Sequence, residues 1–577
     1  MKNYIRLLKL TLSTALFLSL VASTRAQAVD GFWKDIQDRI QSKEYFRVNG
    51  SLQAGLRWNN ISGIAARTDP FQGRINASLL IDFLGIKGPF SAAFSDGNTT
   101  YRLPAYAFYG FSPSYKWIQL HFGDRSLNFS PYTLNGHNFK GVGVELAPGK
   151  FYFGAMHGRL RRARLAEAGA IQNLDPIYRR IGSSIKVGYD DGENKIGAIL
   201  FRARDDQNSI TIPDSSLLRP QENLVLELQG QKQLGGLFNV AFNIAHSALS
   251  RDNTAPLIND PGSGLNGSIL GLFKPRSSTA YNQAYNFSIG FSPKIAQFNL
   301  RFEHLGAGYR SLGTLAFLND TEQLSLGANT TLLNNKVNLA ANFGLQRNGL
   351  SNNTTTEGTR LIGSLNLGIT FNERLTSSVS LSNFNYTLRQ RVNTVPFVVV
   401  DSIVIVQSNL SAQVATTYLL DTEGRSTLTF SGAYQTANTV DGDEIETTTQ
   451  NDFYSLVTAY TWNQEERRLG LTLSAVANVT NFGNVQSTIY SPSIALQKGV
   501  IEDKWTLDIG GSYSGVRTNG TNSNRVLESR LGSLFEISDK QVLRFQISYV
   551  NNRSTITDSP FNAFQDWNGS LNYRLSF

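Results

Sequence analysis

The sequence predicts an all-β protein: a large antiparallel transmembrane β-barrel of about 26 strands, with 22 to 26 as the range, after a cleaved signal peptide. Three observations predict it. Apolar and polar residues alternate along many segments, the connections between these segments alternate between tight and long, and the chain ends in a strand that finishes on Phe577. Successive side chains of a strand point to opposite faces, so one face of each segment suits lipid and the other suits water.

The first residues have the pattern of a secretory signal peptide. Basic residues flank an apolar run from Leu10 to Ala22, and small residues at Ala26 and Ala28 place the expected cleavage after Ala28. The run is shorter than the roughly 20 residues that a membrane-spanning helix needs, which argues against a retained anchor. The predicted organisation is therefore a signal peptide over 1–28, a short periplasmic amphipathic segment over 29–44 and the barrel over 45–577.

The amphipathic segment carries Phe32, Ile36 and Ile40 at helical spacing. This spacing predicts a short helix on the periplasmic side of the barrel. We interpret it as a cap over the lower rim, with a gate or a docking segment as the alternative.

The last strand illustrates the alternation on which the count depends. Apart from Gly569, the odd positions from Trp567 to Phe577 are large and apolar, and they alternate with polar residues at the even positions from Asp566 to Ser576. Counting backward from Phe577 gives 26 strands, the first starting near residue 45, and the weakest patterns are those near residues 89, 102 and 115. An even number places both termini on the periplasmic side. Tight connections such as 292–294 and 421–424 alternate with longer polar ones, namely 350–358, 436–444 and 518–524.

Composition limits the chemistry. The chain has no cysteine, so neither disulfides nor thiolate chemistry are available to it. The formal charge of +9 includes four basic residues of the signal peptide, which leaves about +5 on the mature chain and gives no case for nucleic acid. The five histidines show no metal-ligand spacing. The acidic cluster of Asp441, Asp443, Glu444 and Glu446 lacks the spacing of a calcium loop, so we interpret it as a solvated charge run, with a divalent-cation site as the alternative. No metal, no cofactor and no enzymatic activity are expected.

Two stretches resemble known outer-membrane proteins. The C-terminal strand resembles the signal by which outer-membrane barrels are recognised for insertion, carried here by Gly569, Leu571, Tyr573, Leu575 and Phe577. This resemblance implies the barrel-assembly machinery as a partner during insertion and the Gram-negative outer membrane as the location. Separately, the stretch from Tyr106 to Arg162 resembles uncharacterised outer-membrane proteins of Bacteroidota. Neither resemblance implies a substrate or a catalytic residue.

The loop from Asp124 to His137 (DRSLNFSPYTLNGH) differs from the other loops because it is apolar. Apolar residues in an outer loop need burial, so we expect this loop to fold inward or to pack on a partner. The alternative is that it extends the barrel wall. The candidate constriction residues are Asp124, Arg125, Phe129, Tyr132 and His137.

A basic group lies near the top of one strand pair: Arg159, Arg161, Arg162 and Arg164. Guanidinium groups suit phosphate, so this basic rim is a candidate contact for phosphorylated lipopolysaccharide, or an anion-attracting vestibule. An ordinary basic rim is the alternative. Charges of both signs are expected to face the lumen: Arg47, Arg57, Arg74, Asp82, Arg301, Glu303, Arg544, Asp566 and Arg574.

A barrel of this width without a plug domain would leak unless something fills it. The loops 159–179, 204–221 and 250–281 are long enough to occlude the lumen. The sequence therefore predicts a gated or partner-filled conduit for a bulky substrate, polypeptide or polysaccharide, with a protein partner that fills or caps the lumen. The alternatives are a structural or assembly scaffold, an outer-membrane enzyme and an open porin.

Overall fold

The computed structural model describes residues 34, 36–42, 45–66, 69–96, 106–165, 176–211, 218–259, 265, 267, 269, 271–314, 320–350, 356–390, 403–441, 444–445, 451–501, 504–554 and 563–577. The expected signal peptide and Phe32 lie outside these residues.

Twenty-six strands form the wall. In chain order they are β1 (Phe46–Ser62), β2 (Phe71–Phe83), β3 (Ile86–Ser95), β4 (Tyr106–Phe111), β5 (Ile118–Ser126), β6 (Asn138–Leu146), β7 (Phe151–Arg161), β8 (Arg179–Asp190), β9 (Asn194–Asp206), β10 (Glu222–Leu234), β11 (Phe238–Ser250), β12 (Thr279–Phe291), β13 (Ala296–Leu305), β14 (Thr321–Leu332), β15 (Val337–Asn348), β16 (Thr356–Thr370), β17 (Leu375–Gln390), β18 (Ile403–Leu419), β19 (Ser426–Asp441), β20 (Asn451–Gln464), β21 (Leu469–Phe482), β22 (Val485–Ile501), β23 (Trp505–Thr518), β24 (Thr521–Ser538), β25 (Gln541–Ser554) and β26 (Phe564–Ser576).

Each wall strand pairs with its neighbours in antiparallel register, and the first strand pairs with the last. In that seam Leu52 lies opposite Leu575 and Trp58 lies opposite Gly569. The wall is therefore closed and leaves no free sheet edge. The predicted fold class and strand number are confirmed.

The two ends of the barrel differ in their connections. After even-numbered strands the connections are short, as at Leu84–Gly85 between β2 and β3, where both residues have positive φ as tight hairpins require. After most odd-numbered strands they are longer, up to residues 251–278. We call these the short-turn end and the long-loop end. The expected long loop at 518–524 is wrong, because Asn519–Gly520 makes a two-residue hairpin turn there.

Register separates the two faces of the wall. Large apolar side chains are exposed along paired positions such as Leu324 with Leu345 and Leu326 with Phe343. The opposite face carries polar residues such as Asn342 and Ser364, which also lie across from each other. We therefore assign the apolar face to the outside and the polar face to the lumen. Among the described residues no helix is both long and apolar enough to cross a bilayer.

A short helix over residues 36–41 lies at the short-turn end. Arg39 Nη1 is 3.3 Å from Asp82 Oδ1, an inner-facing carboxylate of β2, and this ion pair holds the helix to the rim. Ile40 remains exposed. In the part of the helix that the structure describes, an ion pair therefore attaches it to the barrel rim.

Part of the long connection between β11 and β12 packs on the outer face. Ile269 and Phe273 are buried against Leu224 and Ala248, whose side chains point outward. Tyr281 Oη donates a hydrogen bond of 3.1 Å to the carbonyl of Gly267. We call residues 265, 267, 269 and 271–273 the outer strap. The expectation that loop 250–281 occludes the lumen is wrong for these residues, because they cover apolar wall that would otherwise face lipid.

Candidate functional site

Two loops fold from the long-loop end into the lumen. They follow β5 and β13 and span residues 127–137 and 306–314, and we call them the plug loops. A short parallel pairing joins them, with Leu134 opposite Gly313 and Asn135 opposite Thr314. Their apolar side chains share one buried cluster with inner-facing residues of the wall from β6 to β13: Leu127, Phe129, Tyr132, Leu134, Phe139, Met156, Leu160, Ile199, Phe201, Ala203, Val225, Ala245, Leu249, Ala284, Leu305, Tyr309 and Leu312.

The plug loops bind each other through backbone carbonyls and aromatic rings. Tyr309 Oη donates to the carbonyl of Tyr132 at 2.8 Å, and Ser311 Oγ donates to the carbonyl of Thr133. The rings of Tyr132 and Tyr309 meet edge to face with centroids 6.3 Å apart. Both rings are almost fully buried. The two loops therefore form one packed unit.

Asn223 of β10 fixes the second plug loop to the wall. Its Oδ1 accepts from the Leu312 N–H at 3.0 Å, and its Nδ2 donates to the Arg310 carbonyl at 3.3 Å. Ser247 of β11 donates to the same carbonyl at 2.7 Å. Asn223 is 0% exposed, so water cannot replace these bonds.

Ionisable wall residues fix the first plug loop. Tyr132 Oη donates to Glu303 at 2.5 Å, Ser130 Oγ donates to Glu227, and Lys186 Nζ donates to the Phe129 carbonyl at 2.8 Å. Burial, followed by the hydrogen bond and charge of Glu303, raises the pKa of Tyr132 well above its ordinary value. The phenol therefore stays protonated and remains a donor at physiological pH.

The structure separates the candidate constriction residues. Phe129 and Tyr132 lie in the buried plug. Asp124 and Arg125 belong to β5, where Asp124 Oδ2 is 3.7 Å from Lys140 Nζ on the outer face and Arg125 donates to the Pro89 carbonyl at 2.8 Å. His137 is exposed. The sequence interpretation did not include the partner loop 306–314, although Tyr309 and Leu312 between glycines carry the same signal of apolar residues in a loop.

The basic rim is divided between the two faces. Arg161 is 3.3 Å from the buried Asp205, which also binds Arg180 at 2.7 Å in the upper lumen. Arg159 faces outward beside Lys140, and Arg164 forms a bridge with Ile177 above the wall. The structure therefore does not bring these arginines together as one rim.

All nine residues expected in the lumen lie at inner-facing register positions, namely Arg47, Arg57, Arg74, Asp82, Arg301, Glu303, Arg544, Asp566 and Arg574. Arg301 Nη2 is 3.2 Å from Glu303 Oε1, and Arg74 Nη2 donates to Asn572 Oδ1 at 2.9 Å.

The acidic cluster is only partly described. Asp441 and Glu444 lie opposite each other in a strand pairing, while Asp443 and Glu446 lie outside the described residues. Within the described part of the chain no group of carboxylates and histidines has metal-binding geometry.

One serine, one histidine and one carboxylate lie within hydrogen-bond reach at the short-turn end. Ser112 Oγ is 2.9 Å from His121 Nδ1, and His121 Nε2 is 3.0 Å from Glu145 Oε2. Acyl transfer needs a nucleophile that a substrate can reach, yet Ser112 is only 4% exposed. This geometry favours a network that holds β5 and β6 to the turn after β4.

The inner wall opposite the plug has a different composition. From β14 to β22 its register positions carry amides, hydroxyls and small residues, together with apolar ones such as Ile362, Val457 and Val476. Among the inner-facing positions of these described strands only Arg360 and Asp441 are charged, and both lie near the long-loop end. We call this surface the neutral arc; it includes Asn329, Asn338, Asn342, Asn366, Ser378, Ser380, Gln413, Ser431, Thr461, Ser474 and Ser493.

Two hollows lie along the first strands of the neutral arc. One, of about 660 Å³, is lined by Gln297, Asn329, Asn338, Asn366 and Gln413 among others. The second, of about 530 Å³, lies where the arc meets Arg301 and Glu303. The amides offer both donors and acceptors toward the lumen.

A closed antiparallel wall with an apolar exterior and a polar interior defines the class of protein: a transmembrane β-barrel of the outer-membrane kind. In fold the chain is similar to the translocation pore of the P pilus usher PapC, at 9% identity and a TM-score of 0.38, over 92% of this chain and 99% of that one. It is similar to the ferric yersiniabactin uptake receptor FyuA from Yersinia pestis, at 10% identity and a TM-score of 0.39, over 92% of this chain and 80% of that one. A bacterial polysaccharide outer membrane secretin matches at 11% identity and a TM-score of 0.25, over 60% of this chain and 100% of that one. No family model and no curated protein matches the sequence. These matches concern the fold only, and the resemblance to proteins of Bacteroidota stays a prediction.

Proposed function

We propose that the chain is a conduit of the Gram-negative outer membrane, with both termini in the periplasm, that passes a bulky uncharged polymer between the plug loops and the neutral arc. The substrate class that this path suits best is a polysaccharide. The observation that carries the proposal is the neutral arc, an inner surface over nine strands that is rich in amides and hydroxyls and nearly free of charge at its described inner-facing positions.

The chemistry of the arc favours sugar over polypeptide. Sugar hydroxyls both donate and accept hydrogen bonds, as do the amides of Asn338, Asn366 and Gln413. The Ser380 hydroxyl already donates to Asn366 Oδ1 at 2.7 Å. The Asn366 amide nitrogen can then donate to the hydroxyl oxygen of a sugar. A polypeptide would bring charged side chains to a surface with few countercharges, which is unfavourable.

Flux through reconstituted liposomes tests the proposal. We expect neutral dextran to leave liposomes that contain the full-length barrel faster than sulfated dextran of the same size. Lysines in place of Asn338 and Asn366 should reduce that preference, because they give the arc a positive charge. Asn243→Lys on β11, outside the arc, is the matched control and should have less effect. Equal flux of both polymers through the wild-type barrel would contradict the proposal.

A scaffold is the second candidate, and the packed plug favours it. Loops that are buried and hydrogen-bonded inside a barrel give a rigid body, which presents the long-loop end to partners. Recovery of the barrel from native membranes separates the two functions. A stable protein partner, together with the lack of polymer flux after removal of the plug, would support the scaffold.

A further inference from the structure

An apolar groove of about 890 Å³ crosses the outer face of the wall beside the seam. It follows one register row, in which Tyr573, Ala54, Ile75, Phe94 and Ala107 lie opposite one another on five successive strands of the closed wall. The small side chains in this row leave a depression between larger ones. Its volume is in the range of sites that hold small molecules.

Cationic side chains close one end of the groove. Lys140, Arg159 and Arg162 line it together with two carboxylates, Asp96 and Asp124. Lys140 Nζ lies 3.7 Å from Asp124 and 4.1 Å from the centre of the Tyr109 ring, so this cation is already held in place. Among the described residues Arg159 and Arg162 have no carboxylate partner.

The same outward-facing level continues as a basic band on the next strands. Arg179 of β8 and Arg202 and Arg204 of β9 face outward near the long-loop end. Their carboxylate partners are Asp206 and Glu222. Six basic side chains therefore face four carboxylates on this part of the outer wall, which leaves it positive.

We propose that the groove and its basic end bind a phosphorylated glycolipid of the outer leaflet, with an acyl chain in the groove and a phosphate at Arg159 and Arg162. An apolar groove favours an acyl chain, and guanidinium groups at its end favour a phosphate, so the two together suit a ligand that carries both. The assignment uses the proposed orientation, in which the long-loop end faces outward, and it does not depend on the transported substrate.

Native mass spectrometry of the full-length barrel in detergent tests the site with bisphosphorylated lipid A as the probe. We expect the double variant Arg159→Gln with Arg162→Gln to lose affinity by about tenfold or more, because each charge-assisted contact to phosphate is lost. Lipid A without phosphates should bind as weakly to the wild type. Lys232→Gln, an outward-facing lysine near the short-turn end, is the control and should retain full binding.

A second variant tests the groove itself. Ala54→Leu with Ala107→Leu should fill the depression and reduce binding, whereas Ala328→Leu on the outer face of β14 should not. Heat-dependent gel mobility verifies that each variant is folded, and the arginine variant remains informative if the groove variant is not. Unchanged lipid A binding in the arginine variant, or full displacement of lipid A by inorganic phosphate, would overturn the proposal. Polymer flux is measured separately, so the two proposals can fail independently.

Discussion

At the scale of single residues, the attachment of the plug depends on a few polar side chains. Asn223 links a plug loop to the neighbouring wall strand. Its side chain accepts a hydrogen bond from the Leu312 N–H in the plug, and it donates to Ser247 Oγ at 2.9 Å and to the Ala248 carbonyl at 3.0 Å on β11. A buried amide whose hydrogen bonds are all made holds its neighbours in one geometry. Removal of the amide would leave their buried polar groups without partners, which costs folding free energy.

Replacement of Asn223 by leucine should loosen the second plug loop. The Leu312 N–H would remain buried without its acceptor, at a cost of about 1–3 kcal/mol. We expect hydrogen–deuterium exchange of a peptide covering residues 309–314 to accelerate about tenfold. Asn338→Leu, an inner-facing amide outside the plug contacts, is the control. Equal exchange in the wild type and in Asn223→Leu would show that this amide does not hold the loop.

Residue positions on the wall could be predicted from the sequence, but contacts inside the lumen could not. Alternation has a period of two and is local, so the inner-facing side of Arg47 or Arg574 follows from a few neighbours. The bond from Tyr132 to Glu303 joins residues that are 171 positions apart. No local pattern specifies that pair, and the same is true of the pairing of Leu134 with Gly313.

At the scale of elements, the plug loops and the outer strap belong to long connections that pack on opposite faces of the wall. The plug loops enter the lumen because their apolar side chains fit inner-facing apolar positions such as Phe201 and Val225. The strap remains outside because Ile269 and Phe273 fit Leu224 and Ala248 on the other face. The sequence indicates that such loops need burial, but the face on which they pack depends on tertiary contacts.

Replacement of residues 127–137 by Asn-Gly should raise the single-channel conductance of the barrel in a planar bilayer. The strands remain paired along their length, so the wall should persist while the lumen widens. Phe273→Ala in the outer strap is the matched control and should leave conductance unchanged, because its side chain packs outside. If the deletion variant folds and conducts as the wild type does, the plug does not narrow the path.

At the scale of the whole molecule, closure depends on the seam between β1 and β26. The indole of Trp58 lies across Gly569 and reaches the Phe545 ring, with centroids 5.9 Å apart, on the strand beyond. A Cβ at Gly569 would overlap that indole. The sequence interpretation placed Gly569 in an insertion signal, and the structure adds a packing role for it in the closed wall.

Gly569→Ala should lower the midpoint of thermal unfolding, measured by heat-dependent gel mobility. Overpacking of this kind costs about 1–3 kcal/mol. The control is Gly432→Ala on the outer face of β19, where an added Cβ meets no atom within 4 Å. Similar midpoints for the two variants would mean that the Trp58 indole moves aside at no cost and that the added methyl group does not overpack the seam.

The division of the inner wall has a consequence for measurement. Ions follow surfaces that carry fixed charges of both signs, which here are the strands before β14 and after β22. An uncharged polymer has no such preference and is retained only where hydrogen bonds are offered. If the proposed sugar path is correct, ions and polymer would follow different parts of the inner wall, and a bound sugar chain would reduce the ionic current only in part. Partial block by neutral polymer, rather than full closure, is the electrical signature of such a divided channel.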